Sequence, residues 1–244
     1  MNLENKKILI TGSTGGIGYS LVKKFSELDC SIVATGTNTE KLDKLKKEFN
    51  KIQTLPFKLD EHQNIEQFID TCFSKLGGLD ILINNAASII NRPFENFSVN
   101  EYEDQLRVNS TSAYLLAQIC TPHMKKMQWG KIINFTSVTL NGVVEGYVPY
   151  VASKGALLGL TKSLARELGP FGICVNAVAP GAIVSEAETR VFGHKAKEYS
   201  DWVLDQQCLK ERIHPDSVAE LVYFLASHSS DMITSQNFGI DGGW

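Results

Sequence analysis

Cysteine is scarce in this sequence, and its spacing excludes two kinds of site. There are five cysteines among 244 residues, an odd number that disulfides cannot use up. No two of them have the Cys-x-x-Cys spacing of a zinc or redox motif. The pattern indicates reduced thiols in a cytoplasmic protein rather than a disulfide framework, and we expect no bound metal. The cysteines are Cys30, Cys72, Cys120, Cys174 and Cys208.

Long apolar runs and an excess of basic charge are missing as well. No run approaches the roughly 20 residues that span a bilayer, and the first residues lead directly into a strand, so we expect neither a membrane segment nor a signal peptide. Lys and Arg total 24 against 27 Asp and Glu, for a net charge of −3. This balance offers nucleic acid no basic surface, so we expect no nucleic-acid partner.

Segments that would divide the chain are also absent. No Pro/Gly/Ser-rich linker, low-complexity tract or fixed-period repeat interrupts it. Short apolar runs instead alternate four times with stretches of helical periodicity. This alternation is typical of an α/β fold built on one doubly wound parallel sheet. The four runs are residues 8–11, 31–35, 52–59 and 80–87.

Glycines separate the first strand from the first helix. The segment Thr11-Gly-Ser-Thr-Gly-Gly-Ile-Gly18 follows the first apolar run and precedes a helical stripe. Glycines let a diphosphate approach the backbone, and a helix N-terminus supplies free N–H groups and a positive dipole. A glycine-rich turn without a ligand is the alternative. The strand–turn–helix context favours nucleotide binding.

The end of the second strand bears on which nucleotide binds. An acidic residue there hydrogen-bonds the ribose of NAD and repels the 2′-phosphate of NADP. This chain has Gly36-Thr37-Asn38, with neither an acid nor an arginine, and Lys41 follows as a candidate cation. We therefore expect NADP(H), with NAD(H) as the alternative.

Tyr150 and Lys154 are four residues apart, which places them on one face of a helix at about 5–6 Å between Cβ atoms. An ammonium beside a phenol favours the phenolate and lowers its pKa, so the pair could move a proton on or off an alcohol. A half-buried tyrosine and a solvated lysine would explain an isolated pair equally well. The assignment therefore depends on the surrounding motifs.

Other polar residues lie where an apolar or helical pattern would not require them. Asn84-Asn85 ends the fourth strand, either as a turn or as part of a ligand-binding floor. Asn109 lies inside a long helical region over residues 99–127, where asparagine is mildly unfavourable. Ser137 ends a fifth strand over residues 131–137, at the edge where open α/β sheets bind ligands. A surface asparagine and a strand-end cap are the simpler alternatives for the last two.

Together these motifs resemble the short-chain dehydrogenase/reductase family. The chain carries the family's TGxxxGxG turn, its Asn-Asn-Ala motif, its helix asparagine, its serine with Tyr-x-x-x-Lys, and a Pro-Gly followed four positions on by a hydroxyl residue. The resemblance covers residues 11–244. It implies a single-domain Rossmann fold over residues 1–244, with a doubly wound parallel seven-stranded sheet flanked by helices. Ala87 replaces a family glycine, and Ser185 replaces a threonine.

The resemblance also implies a hydride transfer between C4 of a nicotinamide and a substrate carbonyl carbon. In the family, the tyrosine exchanges the proton, the lysine lowers its pKa and holds the nicotinamide ribose, the serine polarises the carbonyl, and the asparagine anchors a relay water. The implied catalytic residues are Asn109, Ser137, Tyr150 and Lys154. The implied cofactor-binding residues are Gly12, Ser13, Gly16, Ile17, Gly18, Thr37, Asp60, Asn85, Ala86, Tyr150, Lys154, Pro180, Gly181, Ile183 and Ser185.

Three hypotheses remain for the substrate and role. The chain looks similar to 3-oxoacyl-(acyl-carrier-protein) reductases and to sugar and polyol dehydrogenases, and we favour a small sugar, polyol or hydroxy compound. Arginines that would dock an acyl carrier protein are expected before strands five and six, where this chain has Gln128-Trp129-Gly130 and Pro170-Phe171-Gly172. A non-catalytic nucleotide-binding regulator is the weakest hypothesis, because all four catalytic positions are filled.

Two larger features complete the expectations. Residues 186–211 are polar, include Arg190, His194, Tyr199 and Trp202, and are expected to cover the substrate. The helical regions 100–127 and 153–168 are apolar over more than one face, which indicates burial on two sides. In the family, these helices pair across a two-fold axis, so we expect a homotetramer.

Overall fold

Seven parallel strands form one sheet through the centre of the molecule, in a computed structural model that describes residues 3–142, 144–185, 188–189 and 193–244. Their spatial order is β3-β2-β1-β4-β5-β6-β7, and every neighbouring pair runs parallel. The predicted doubly wound parallel sheet is confirmed. The strands are β1 (Lys7–Ile10), β2 (Ser31–Gly36), β3 (Gln53–Pro56), β4 (Ile81–Asn84), β5 (Gly130–Phe135), β6 (Ile173–Pro180) and β7 (Asn237–Ile240).

Helices cover both faces of the sheet. Those formed by the described residues are α1 (Gly16–Ser26), α2 (Thr39–Glu48), α3 (Ile65–Leu76), α4 (Val99–Leu106), α5 (Ser112–Met127), α6 (Val148–Leu168), α7 (Ala196–Gln206) and α8 (Pro215–Ala226). Successive side chains of a strand point to opposite faces. Ile8 and Ile10 accordingly pack with α1, α2 and α8, whereas Leu9 packs with α3, α5 and α6. Apolar burial on both faces explains why these strands are continuous apolar runs.

The strand order reverses between β1 and β4. The chain runs outward from β1 through β2 to β3, then returns to place β4 on the other side of β1. In open α/β sheets, the crevice beyond the carboxyl ends of the strands at such a reversal binds ligands. The fold therefore brings the glycine turn after β1 and the asparagines after β4 to one edge.

The long helical region predicted over residues 99–127 is divided. α4 and α5 are separated by a π-helical turn at Arg107–Thr111, which contains Asn109. π-helical turns are rare and are frequent at functional sites. The helix thus bends at the residue for which the sequence offered no local reason.

The third strand is shorter than predicted. β3 ends at Pro56 instead of continuing to residue 59. Proline has no N–H for the sheet ladder, and residues 57–60 leave the sheet beyond it. This departure places Asp60 beside the ligand crevice rather than inside a strand.

The segment predicted to cover the substrate is described in part. Its described portion contains a short 3-10 turn at Gly193–Lys195 and α7. Arg190 lies outside the described residues. No helix within the described ranges is both long and apolar enough to cross a bilayer.

Candidate active site

The glycine turn after β1 has the close backbone contacts that its sequence predicted. Gly12 has a φ of +66°, and a Cβ there would lie 2.7 Å from the Cα of Ala86. A Cβ on Gly18 would collide with the carbonyl oxygen of Gly12. Gly15 precedes α1 without a side-chain cap. The first turn of α1 therefore has backbone N–H groups without a capping side chain, which is the arrangement that binds an anion.

Asn85 holds the glycine turn, and Asn84 holds the sheet. The Asn85 amide donates to the carbonyl oxygens of Thr11 at 2.9 Å and Gly12 at 3.1 Å. Asn84 donates to Asn134 at 2.8 Å, and Asn134 donates to Thr161 of α6 at 2.9 Å, all in buried positions. Of the two alternatives for this pair, the floor beside the turn describes Asn85. Asn84 instead ties β4 through β5 to α6.

A cleft of about 720 Å³ opens beside the glycine turn. Most residues that the family resemblance assigned to the cofactor line it. These are Gly12, Gly16, Ile17, Gly18, Thr37, Asp60, Asn85, Ala86, Ile183 and Ser185.

Ser13, Pro180 and Gly181 do not line this cleft. Ser13 is fully buried and donates its hydroxyl to the carbonyl oxygen of Ile10 at 2.8 Å. Gly181 donates its N–H to Ile240 at 3.0 Å, and a Cβ there would lie 2.9 Å from the Cα of Asp241. Ser13 thus braces the turn from beneath, and Gly181 permits a tight junction between the ends of β6 and β7.

Sequence reasoning missed several lining residues. Phe57, Lys58 and Leu59 follow β3, and the position of the proline at its end was the signal that could have located them. Ala87 does line the cleft where the family has glycine, and its φ is not positive, so its methyl group imposes no backbone strain. The other missed lining residues are Thr14, Gly15, Ile89 and Val108.

Tyr150, Ser137 and Lys154 come together at the carboxyl end of β5, one strand beyond the part of the cleft formed by β4. A side-chain hydrogen bond joins Tyr150 to Ser137. Lys154 lies with its Nζ 5.4 Å from the centroid of the Tyr150 ring and donates to the carbonyl oxygen of Phe135 at 2.5 Å. Tyr150, Ser137 and Lys154 are 7%, 8% and 1% exposed. Burial of all three favours a chemical role over a solvated surface pair.

The pKa values correct one expectation. Burial raises the pKa of Tyr150 to about 12, although its hydrogen bond with Ser137 acts in the opposite direction. Burial also lowers the pKa of Lys154 to about 7. The predicted lowering of the phenol pKa by the ammonium does not occur here, because Lys154 is itself desolvated and donates to a backbone carbonyl. At neutral pH, the site therefore presents a protonated phenol, which is a proton donor.

Asn109 connects three parts of the site through its side chain. Its Nδ2 donates to the carbonyl oxygen of Ser88 and to the hydroxyl of Ser153, both at 2.9 Å. Its Oδ1 accepts from the N–H of Ser88 at 2.7 Å. Ser153 in turn donates to the carbonyl oxygen of Tyr150 at 2.6 Å. Asn109 therefore links the loop after β4 to the first turns of α6, which carry the tyrosine.

Comparison with known proteins agrees with this architecture. The sequence model of the family described as enoyl-(acyl carrier protein) reductase matches residues 12–244. A 3-oxoacyl-(acyl-carrier-protein) reductase of Aquifex aeolicus is 33% identical over 249 residues, covering 100% of this chain and 98% of that protein. A D-xylose 1-dehydrogenase of Caulobacter vibrioides is 31% identical over 244 residues, covering 100% and 97%.

The fold also matches a solved structure closely. The structure of a short-chain type dehydrogenase/reductase from Mycobacterium ulcerans superposes with a TM-score of 0.93 at 20% identity, over 100% of this chain and 90% of that one. The chain therefore belongs to the short-chain dehydrogenase/reductase family, whose members are NAD(P)(H)-dependent oxidoreductases.

Proposed function

We propose that this protein transfers a hydride between NADP(H) and a carbonyl or secondary alcohol group, and that the substrate is a small sugar, polyol or related hydroxy compound. The observation that carries the proposal is the buried Tyr150, hydrogen-bonded to Ser137 with Lys154 behind it, at the sheet edge that also holds the glycine-lined cleft.

The cleft fits a dinucleotide. Gly12 and Gly18 occupy positions that a Cβ would block, and the first turn of α1 is not capped by a side chain. These features accept a diphosphate. Ile183 and Ser185 follow β6 and line the far side of the cleft, where they would hold the nicotinamide. The nicotinamide supplies or accepts the hydride at its C4.

The side chains of this chain supply the proton and the orientation. Tyr150, protonated at neutral pH, donates its proton to the carbonyl oxygen during reduction and takes it back during oxidation. Ser137 donates a hydrogen bond to the same carbonyl oxygen. Lys154, fixed by Phe135, holds the nicotinamide ribose and restores the proton of Tyr150. Asn109 positions α6 through Ser153.

The preference for NADP(H) rests on the surroundings of Gly36 and Thr37. Both line the cleft, and neither presents a carboxylate to a 2′-phosphate. A smaller adjoining cavity of about 320 Å³ lies between the glycine turn and α2, and Lys41 and Lys44 line it. Two lysines within reach of the adenosine ribose would supply the positive charge that Thr37 lacks.

The carrier-linked reductase remains a second candidate because of the Aquifex relative. Lys125 lies 4.6 Å from the ring centroid of Phe171, so this face does hold positive charge. The expected arginine positions are nevertheless occupied by Trp129 and Phe171, and Trp129 is covered by Lys6 at 3.7 Å. A hydroxylated substrate is the better-supported proposal.

A substrate and cofactor panel tests the proposal. NADPH and NADH are each assayed with an acetoacetyl thioester and several ketoses, and the oxidised cofactors with several polyols and aldoses. We expect turnover with NADP(H) and at least one polyhydroxylated compound. Turnover of the thioester alone would favour the carrier-linked reductase, and cofactor binding without any turnover would favour a regulator.

A further inference from the structure

Four aromatic residues outside the proposed catalytic group form a continuous surface that starts at Tyr150. We call Tyr147, Tyr199, Trp202 and Trp244 the aromatic wall. Tyr147 lies edge-on to Tyr150 with ring centroids 6.2 Å apart. Tyr199 stacks on Trp202 at 5.8 Å, and Trp202 meets Trp244 edge-on at 5.5 Å. Tyr147 lies close enough to Tyr199 to contribute to the raised pKa of the Tyr199 phenol, which closes the sequence.

The aromatic wall comes from three segments that are distant in sequence. Tyr147 immediately precedes α6, Tyr199 and Trp202 lie on α7, and Trp244 follows β7. All approach the carboxyl edge of the sheet from β5 to β7, whereas the cofactor cleft lies over β1, β2 and β4. The crevice is thus divided into a glycine-lined half and an aromatic half, with Tyr150 at the boundary.

The aromatic wall is not part of either apolar core. Trp202 is 38% exposed, and Tyr147, Tyr199 and Trp244 are half-buried. Arg212 lies 5.7 Å from the Tyr199 ring centroid and pairs with Glu188 at 2.7 Å, which fixes the position of the Tyr199 ring. These rings therefore combine a fixed position with a partly open face.

Each ring of the aromatic wall carries a polar atom beside an apolar face. Burial raises the pKa of Tyr147 and raises that of Tyr199 to about 12, so both phenols keep their protons and can donate hydrogen bonds. The indole Nε1 of Trp244 is buried with no hydrogen-bond partner among the described residues. Buried indole N–H groups usually find a partner.

This combination suits a ligand with alternating C–H and O–H groups. Aromatic faces pack against the C–H bonds of a sugar or polyol, while phenol and indole groups bond to its hydroxyls. A purely aliphatic ligand would leave the same polar atoms unpaired, which costs free energy.

We propose that the aromatic wall is the substrate-recognition surface and that it binds a polyhydroxylated compound through the Tyr147 and Tyr199 hydroxyls. This inference rests on the proposed oxidoreductase function and adds the residues that select the substrate. Tyr147 and Tyr199 are specificity residues, separate from the proton-transferring Tyr150.

Phenol-to-phenyl variants test it because they remove one oxygen and keep the ring. Tyr147→Phe and Tyr199→Phe are compared with Tyr223→Phe, whose ring packs against Phe25 on the opposite side of the sheet. The probes are xylitol, D-gluconate and D-xylose as polyhydroxylated compounds, and 2-butanol and cyclohexanol as plain secondary alcohols. We expect the wild-type protein to prefer a polyhydroxylated probe.

Each site variant should raise KM for that probe about tenfold, because a site built around a substrate hydroxyl is left with one fewer partner. Its kcat, and its kcat/KM for the plain alcohols, should stay within about twofold of the parent. Tyr223→Phe should change neither. Equal losses on both probe classes, no loss at all, or a wild-type preference for plain alcohols would overturn the inference while leaving the oxidoreductase function intact. Absence of any nicotinamide-dependent turnover would instead overturn the proposed function.

A binding measurement separates recognition from catalysis. In a Tyr150→Phe background, the preferred polyhydroxylated probe should change the tryptophan fluorescence, and Trp202→Phe should reduce that change. Trp129→Phe is the matched control, since Trp129 precedes β5 at the opposite edge of the sheet. A fluorescence change that depends on Trp129 and not on Trp202 would contradict the placement of the substrate.

Discussion

Burial moves the two ionisable groups of the site in opposite directions. It raises the pKa of the Tyr150 phenol to about 12 and lowers that of the Lys154 ammonium to about 7. Both shifts favour the uncharged form, as desolvation requires. The spacing of the two residues predicted that they share a helix face. The direction of the tyrosine shift was wrong, because periodicity shows which face a residue occupies and not how deeply it is buried or where its Nζ donates.

The lysine shift predicts a pH dependence of stability. Between the folded-state pKa near 7 and the ordinary value of 10.5, the unfolded chain binds the extra proton. Stability contributed by this group therefore rises with pH through that window, and its cost is fully present below pH 7. From pH 7 to 8.5, the free energy of unfolding should increase by about 1–2 kcal/mol through this residue, and Lys154→Met should remove the increase. Urea denaturation at both pH values measures it. An unchanged slope in the variant would show that Lys154 keeps an ordinary pKa.

The carboxyl end of β2 predicts a change of cofactor. Gly36→Asp should lower the ratio of kcat/KM for NADPH to that for NADH about tenfold or more, because a like charge at close range costs upward of about 1 kcal/mol. A Cβ at residue 36 would lie 3.0 Å from Oγ1 of Thr14, so Thr14 must rotate slightly. Gly36→Asn has the same shape without the charge and should leave the ratio nearly unchanged. A wild-type preference for NADH would contradict the account of this strand end.

At the scale of the element, the π-helical turn at Arg107–Thr111 has a physical cause in Asn109. Its side chain makes three hydrogen bonds to Ser88 and Ser153. The sequence pattern predicted a helix over this region and marked Asn109 as anomalous. The partners could not be predicted, since they lie 21 and 44 residues away along the chain.

Removing the Asn109 side chain should destabilise the protein and misplace α6. Asn109→Ala leaves three buried partner groups unpaired, and we expect a loss of about 2–4 kcal/mol in the free energy of unfolding. Asn64→Ala, at an exposed asparagine whose amide donates to Glu61 at 3.1 Å, is the control and should cost less than about 0.5 kcal/mol. Chemical denaturation compares the two. Equal losses would mean that Asn109 is not a structural link.

At the scale of the whole molecule, alternation of strand and helix patterns was sufficient to predict the parallel sheet. Its layers followed from alternating apolar residues such as Leu9 and Ile10. Residues that complete the cleft from loops, such as Lys58 and Val108, were not predicted, because which loops converge depends on the strand order. The aromatic wall escaped for the same reason, since its members come from three separate segments.

The surface left by this fold predicts a homotetramer. Tyr114 on α5 is 44% exposed, and Leu158 on α6 is half-buried, although both belong to apolar stripes that extend past the face packed on the sheet. In the family, these helices pair across a two-fold axis, and a dihedral tetramer adds a second contact. Light scattering should give four times the 27.0 kDa chain mass. Leu158→Glu should yield smaller species, and Met232→Glu, at a residue that is 96% exposed, should not. A monomer at micromolar concentration would contradict this.

The central claim is that Tyr150 exchanges the proton in a nicotinamide-dependent reaction, and one variant tests it most directly. Tyr150→Phe keeps the ring and removes only the hydroxyl that is hydrogen-bonded to Ser137. Turnover of the best substrate from the panel should fall about 10²- to 10⁴-fold, the usual contribution of a positioned acid–base group. NADPH affinity, measured by calorimetric titration, should stay within about threefold of the parent, and Tyr102→Phe should leave both quantities unchanged. Near-normal turnover in Tyr150→Phe would contradict the mechanism.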